Sequence, residues 1–225
     1  MLLNELVKGR IWFSQQPLRF GPLHITTRMT VIRLSDGSLW VHSPVTPTPP
    51  LLASLSQIGQ VRYVVAPNKG HHLFFLLFLH AYPEAHGFVA PGLASKRPDL
   101  DSFAVIPQQA PWSDELPSWF IEGLPIINET IWFHRPTGTL LLTDLLFCFG
   151  TDNAGLTGFV AKVLGVSGRL AMSRTMKLAT KDRQALRRSV EPILSLPVER
   201  VIVAHDQIID SNPVEKLEGA FKWLL

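Results

Sequence analysis

V-R-Y-V-V-A-P-N-K-G-H-H, residues 61–72, is the stretch on which the reading of the fold turns. Residues 61–66 are apolar and rich in β-branched and aromatic side chains, which reads as a short buried strand. Pro67, Asn68, Lys69 and Gly70 then supply turn chemistry, since Asn and Gly tolerate positive backbone dihedrals between a strand and a helix. The apolar run L-F-F-L-L-F-L at 73–79 continues as a core helix, expected over 72–81 and far short of the roughly 20 residues a membrane span needs. Two adjacent histidines, His71 and His72, therefore sit where a strand gives way to a helix.

Three later residues repeat this placement at the ends of strand-like runs: His134 in I-W-F-H-R-P, Asp144 in T-L-L-L-T-D-L-L-F, and His205 in R-V-I-V-A-H-D. Ligands arriving from separate strands can surround one ion, and a set of His and Asp side chains suits Zn, Fe or Mn. Each residue also has a plainer use. Paired histidines cap helices or lie on surfaces, and His134 and His205 can be solvent-facing strand ends. Asp144 is costly to bury unpaired among leucines, but Arg33, Arg135 or backbone amides can satisfy it. His24, His42, His80 and His86 have no matching partner and read as structural or surface residues.

Outward from this stretch, strands are expected at 10–15, 29–34 and 38–42, with S-D-G-S (35–38) as a hairpin turn. T-P-T-P-P (46–50) leads into a helix at 51–58, as proline suits a first helical turn. A strand near 87–90 and a short helix at 93–96 complete the first half. The second half repeats the rhythm with strands near 119–121, 129–134, 140–144 and 201–204 and a last helix at 213–224. Apolar strands and helices in both halves imply two sheets face to face with helices outside, an α/β four-layer αββα sandwich. At 225 residues and 46% hydrophobic content the chain fits one domain, 1–225.

A formal charge of +3 with 17% charged residues does not call for a polyanionic partner, so nucleic acid is not indicated. Cys148 is the single cysteine, which excludes an intramolecular disulfide and favours a reducing, cytoplasmic setting; it reads as a small buried hydrophobe. The first residues, M-L-L-N-E-L-V-K-G-R, do not resemble a secretory signal. From Lys162 to Arg188 six further cations accompany one acid, Asp182, a pattern read as a solvated helical face. G-L-T-G-F-V-A-K-V-L-G-V (155–166) is amphipathic and suits a lid over the site or a subunit contact in a homodimer.

In order and strand context these residues resemble the metallo-β-lactamase superfamily, and specifically a divergent, DUF4336-like branch marked by a strand followed by a P-N-K-x-H-H turn; the likeness covers most of the chain. In that superfamily the turn carries H-x-H-x-D-H, and later strands give a third histidine, a bridging aspartate and a final histidine. Here Pro67 and Lys69 replace the first two histidines, His71 stands in the place of the aspartate, and His72 matches the last histidine. His134, Asp144 and His205 fall at the three later positions. The resemblance implies two mixed sheets and one retained metal position of the usual two. His71, His72, Asp144 and His205 would form its shell, with His134 as a fifth ligand or a donor to substrate. One divalent ion is expected, Zn first, with Fe or Mn as alternatives, because the Lys69 ammonium opposes a second cation. The implied activity is metal-assisted hydrolysis of a small ester, lactone, thioester or phosphoester. His71, Lys69 and Asp144 would be its catalytic groups, and the helix N-terminus would favour an anionic small-molecule substrate. The alternative is a non-catalytic descendant serving as a binding or interaction module.

Overall fold

Residues 2–225 are described by a computed structural model. Seven strands form the first sheet in chain order: β1 (Asn4–Val7), β2 (Ile11–Phe20), β3 (Leu23–Arg33), β4 (Leu39–His42), β5 (Val61–Ala66), β6 (His86–Val89) and β7 (Ala104–Val105). The first four are antiparallel neighbours; β4 to β7 pair in parallel through crossovers. Helices α1 (Pro49–Ile58) and α2 (Phe75–Ala81) supply the crossovers on either side of β5. The turn between β3 and β4 closes as expected, with Gly37 at a φ of +82° and Asp36 Oδ1 accepting from the Ser38 amide at 2.9 Å.

The second sheet contains β8 (Ser118–Phe120), β9 (Thr130–His134), β10 (Thr139–Leu141), β11 (Arg200–Ile202) and β12 (Ile208–Ile209), in the order β12-β11-β10-β9-β8. Only β10 and β11 run parallel. Between these strands the chain forms α3 (Gly155–Leu164), α4 (Arg174–Ala179) and α5 (Arg183–Leu194), and it ends in α6 (Pro213–Phe221).

Alternation of side chains along the second sheet divides the interior into two cores. Trp132, Leu141 and Ile202 point to the first sheet and join Trp40, Met29 and Val64. Their neighbours Ile131, Phe133, Leu140 and Val201 point away and meet Leu186 and Val190 of α5 and Leu217 and Phe221 of α6. Trp40 and Trp132 meet edge to face across the sheets at 5.2 Å. Leu51, Leu55, Phe75 and Phe78 of α1 and α2 belong to the core of the first sheet. The result is the expected αββα sandwich with two mixed sheets. Among the described residues, no helix is long and apolar enough to cross a membrane.

Four departures from the sequence reading have local causes. The β2–β3 hairpin continues to Phe20 and Leu23 although Pro17 lies in it. β1 covers only residues 11–13 of β2, so the missing Pro17 amide faces an unpaired edge. Residues 93–96 form successive turns, not a helix, with the amides of both Lys96 and Arg97 bonded to the Leu93 carbonyl. Helix α2 begins at Phe75 because residues 71–74 are consumed in turns. Strand β10 stops at Leu141, and the amides of Thr143, Asp144 and Leu145 turn to a buried carboxylate instead of a neighbouring strand.

Candidate metal centre

The turn after β5 is organised by one fully buried side chain, Asn68. Its Oδ1 accepts from the amides of Gly70 and His71, both at 2.7 Å, which folds the chain back under the histidine. Its Nδ2 faces Glu129 Oε2, Thr143 Oγ1 and Asp144 Oδ2 at 2.8–3.1 Å. The Lys69 amide bonds to the Ile127 carbonyl, and the Thr130 amide to that of Pro67, so the turn is tied to the head of β9. Glu129, also fully buried, accepts from the amides of Thr143 (2.7 Å), Asp144 (2.7 Å) and Leu145 (3.0 Å). Burial and the nearby Asp144 carboxylate raise the Glu129 pKa.

Three side chains converge above this base. His71 Nε2 lies 3.4 Å and His205 Nε2 3.2 Å from the same oxygen, Asp144 Oδ1, and the three ligand atoms lie within 4.8 Å of one another. His71 Nδ1 is held by Ser43 Oγ at 2.7 Å; His205 Nδ1 lies 2.6 Å from the Thr26 carbonyl. A carbonyl only accepts, so His205 carries its proton on Nδ1 and turns Nε2 toward the carboxylate. A bare nitrogen lone pair that close to a carboxylate oxygen is repelled unless a proton or a cation lies between them. Anchored imidazoles with their free nitrogens aimed at one point are the donor arrangement of metal-binding histidines, and the set fits a divalent ion. Burial opposes charge on Asp144, yet the facing imidazoles hold its carboxyl well below the usual range. Burial likewise opposes charge on His71, yet Asp144 raises its pKa.

Two anchors hold the ends of this cluster. Ser43 is buried with a φ of +53°, a strained conformation for a side chain with a Cβ, and this aims its hydroxyl at His71. Arg28 of β3 is buried and donates to the carbonyls of Val203, Asp206 and Gln207, fixing the segment that carries His205. Burial brings its pKa down to about 10 despite Asp206 nearby.

The other expected ligands are not part of the cluster, although His72 lines the same cavity. His72 is turned to Arg97, with Nδ1 2.9 Å from Nη1, and burial plus the Lys96 and Arg97 charges push its pKa down to about 4. His134 is bonded through Nδ1 to Thr137 Oγ1 at 2.8 Å. It ends β9 whereas the site lies at the start, four residues or about 13 Å away at the rise of a strand. Asp144 is satisfied by imidazoles and an amide, not by Arg33 or Arg135. Lys69 extends along the site wall, its Nζ donating to the Pro125 carbonyl at 3.0 Å.

The sequence reading missed Ser43, Glu129 and Arg28 and assigned Asn68 only to the turn. Glu129 carried the same signal as Asp144, a lone acid beside an apolar strand; Ser43 carried none.

A cavity of about 530 Å³ opens over the triad. Leu18, Phe20, Leu23 and Ile25 from the β2–β3 hairpin form one wall, and Val160, Ala161 and Leu164 of α3 form the other. Thr157 of α3 bonds through its hydroxyl to the His24 amide (3.2 Å) and carbonyl (3.1 Å), joining the two walls. Asp144 remains 14% exposed at its side chain and is reachable from this space.

The DUF4336 model, described as a domain of unknown function, matches residues 8–176. No curated protein matches the sequence. Solved structures match over nearly the whole chain at low identity. A metallo-β-lactamase from Pontibacter korlensis has a TM-score of 0.64 at 10% identity, over 99% of this chain and 97% of that one. One from Erythrobacter litoralis, with β-mercaptoethanol in its active site, has 0.66 at 12%, over 98% and 96%. One from Hirschia baltica has 0.61 at 10%, over 97% and 96%. The architecture is the metallo-β-lactamase fold, and the chain belongs to the DUF4336 family.

Proposed function

We propose that this protein is a hydrolase using one divalent metal ion, Zn first, held by His71, Asp144 and His205, and acting on a small ester, lactone, thioester or phosphoester. The observation that carries the proposal is the convergence of two anchored imidazole nitrogens on one carboxylate oxygen. An ion bound there supplies a Lewis acid that polarises a carbonyl or phosphoryl oxygen and acidifies water. His72 and His134 are left out of the shell, because each is bonded through Nδ1 to a residue outside the cluster and neither comes within ligand distance of the converging atoms. Three protein ligands with open positions is the pattern of catalytic rather than structural zinc.

The surrounding residues do the positioning. Asn68 fixes Asp144 through Oδ2 and leaves Oδ1 to the cluster. Ser43 and the Thr26 carbonyl orient the two rings. Lys69 places a fixed positive charge on the cavity wall, where it serves an oxyanion or an anionic substrate group in place of a second ion. The apolar walls beside the triad lower the local dielectric and strengthen those interactions.

The test is hydrolysis of a panel of generic esters, thioesters, lactones and phosphodiesters by zinc-loaded protein. Activity on at least one class, lost in both Asp144→Ala and His205→Ala, supports the reading. Ser43→Ala is expected to lower activity by about 10–100-fold, the usual effect of removing a partner that orients a ligand. Zinc-loaded protein that turns over none of these classes, while the variants lose zinc, favours the binding-module alternative.

A further inference from the structure

The cavity over the triad is chemically lopsided. Its polar groups gather around His71, Asp144 and His205, whereas the walls from the hairpin and α3 are hydrocarbon. Ile25, Phe147, Phe149, Val160 and Leu164 are only partly buried because they face this space. A folded chain rarely leaves that much contiguous apolar surface lining a concavity without a ligand to cover it. The phenyl rings of Phe147 and Phe149 lie parallel to the His205 imidazole, at 6° and 7°, so the apolar lining continues up to a proposed ligand. Lys69 and Lys96 also line the cavity and add positive charge for a polar head.

We infer that the site takes an amphiphile: a substrate with a saturated acyl chain against the hairpin and α3 and a carbonyl or carboxyl head at the triad. This inference rests on the hydrolase reading for what happens to the head, but chain binding requires no metal. The walls carry no buried charge and few hydrogen-bonding groups, so they recognise length and apolar area, not a polar pattern. The bridge from Thr157 to His24 keeps the two walls together. Sugars and polar peptides would leave their hydroxyls and amides unpaired against such walls.

The experiment is calorimetric titration of metal-free protein with linear fatty acids from butanoate to dodecanoate. Affinity is expected to rise about fourfold for each added methylene until the walls are filled, the increment that burial of one CH₂ brings. Val160→Trp and Ile25→Trp obstruct the α3 and hairpin walls respectively and are each expected to weaken dodecanoate binding at least tenfold while retaining zinc; circular dichroism identifies folded variants, and either one suffices. His205→Ala is expected to keep the chain-length dependence and lose zinc. Affinity independent of length, or dodecanoate binding unchanged in the folded tryptophan variants, overturns the inference. Chain binding by a protein that takes up no zinc removes the hydrolase reading but leaves the amphiphile site standing. Turnover that ignores chain length, with no fatty-acid binding, does the reverse.

Discussion

Gly70 sits where only a hydrogen fits. A Cβ at this position would meet Asp144 Oδ2 at 2.7 Å and Asn68 Oδ1 at 3.3 Å, both fixed by the buried network beneath the site. Gly70→Ala is expected to stay folded but to push Asp144 out of line, weakening zinc affinity by about 10–100-fold in competition with a chelating dye. Affinity within twofold of wild type would show that the Asp144 position tolerates displacement. His71, Asp144 and His205 were readable from the sequence as candidates because each follows an apolar strand, although each also had a plainer use there. His72 and His134 carried the same signal, but the structure does not bring them into the cluster. On this turn the adjacent side chains diverge, His71 to Asp144 and His72 to Arg97, and a strand has two ends of which only one reaches the site. Ser43, Arg28 and Glu129 act on partners contributed by distant segments, a relation that local sequence does not encode.

The hairpin of β2 and β3 and helix α3 form two walls of the cavity. Thr157 is the hydroxyl that bonds them. Thr157→Val keeps the shape and removes both bonds, so a global loss of only about 0.5–1.5 kcal/mol is expected. Amide exchange within residues 155–164 should accelerate much more than in the core, as read by hydrogen exchange with mass spectrometry. Equal protection in the two proteins would mean that apolar packing alone seats the helix. The amphipathic pattern of this segment pointed to a lid or a subunit contact, and the structure puts one of its faces on the cavity. Strands β4, β5 and β9 were plain from alternation and β-branching, whereas β7 and β12, each two residues long, have too few residues to show a period. The outer half of the hairpin was hidden because Pro17, Gly21 and Pro22 read as breakers until the unpaired edge of β2 is known.

At the scale of the molecule, two cores share one sheet, and its side chains report on both. His134 ends β9 fully shielded from solvent, and burial brings its pKa down to about 4, with Glu115 and Arg10 acting in opposite directions. In the unfolded chain the same ring takes its proton near pH 6.5. The folded pKa is the lower one, so His134 has no effect on stability above about pH 6.5 and destabilises progressively as pH falls from there toward 4. The slope is at most about 1.4 kcal/mol per pH unit. His134→Phe is expected to flatten this limb of the urea-unfolding profile relative to wild type, and an unchanged slope would contradict a buried neutral imidazole. The two-sheet architecture followed from the alternating halves of the sequence, but where each strand end lies relative to the site required the assembled sheets. The central claim is that three side chains, from the turn after β5 and from two later strand ends, form a single cation site. Equilibrium dialysis against zinc tests it most directly: the account predicts one ion per chain, lost in Asp144→Ala and His205→Ala and kept in His72→Ala and His134→Phe. Wild-type protein that binds none, or Asp144→Ala protein that binds as much as wild type, would contradict it.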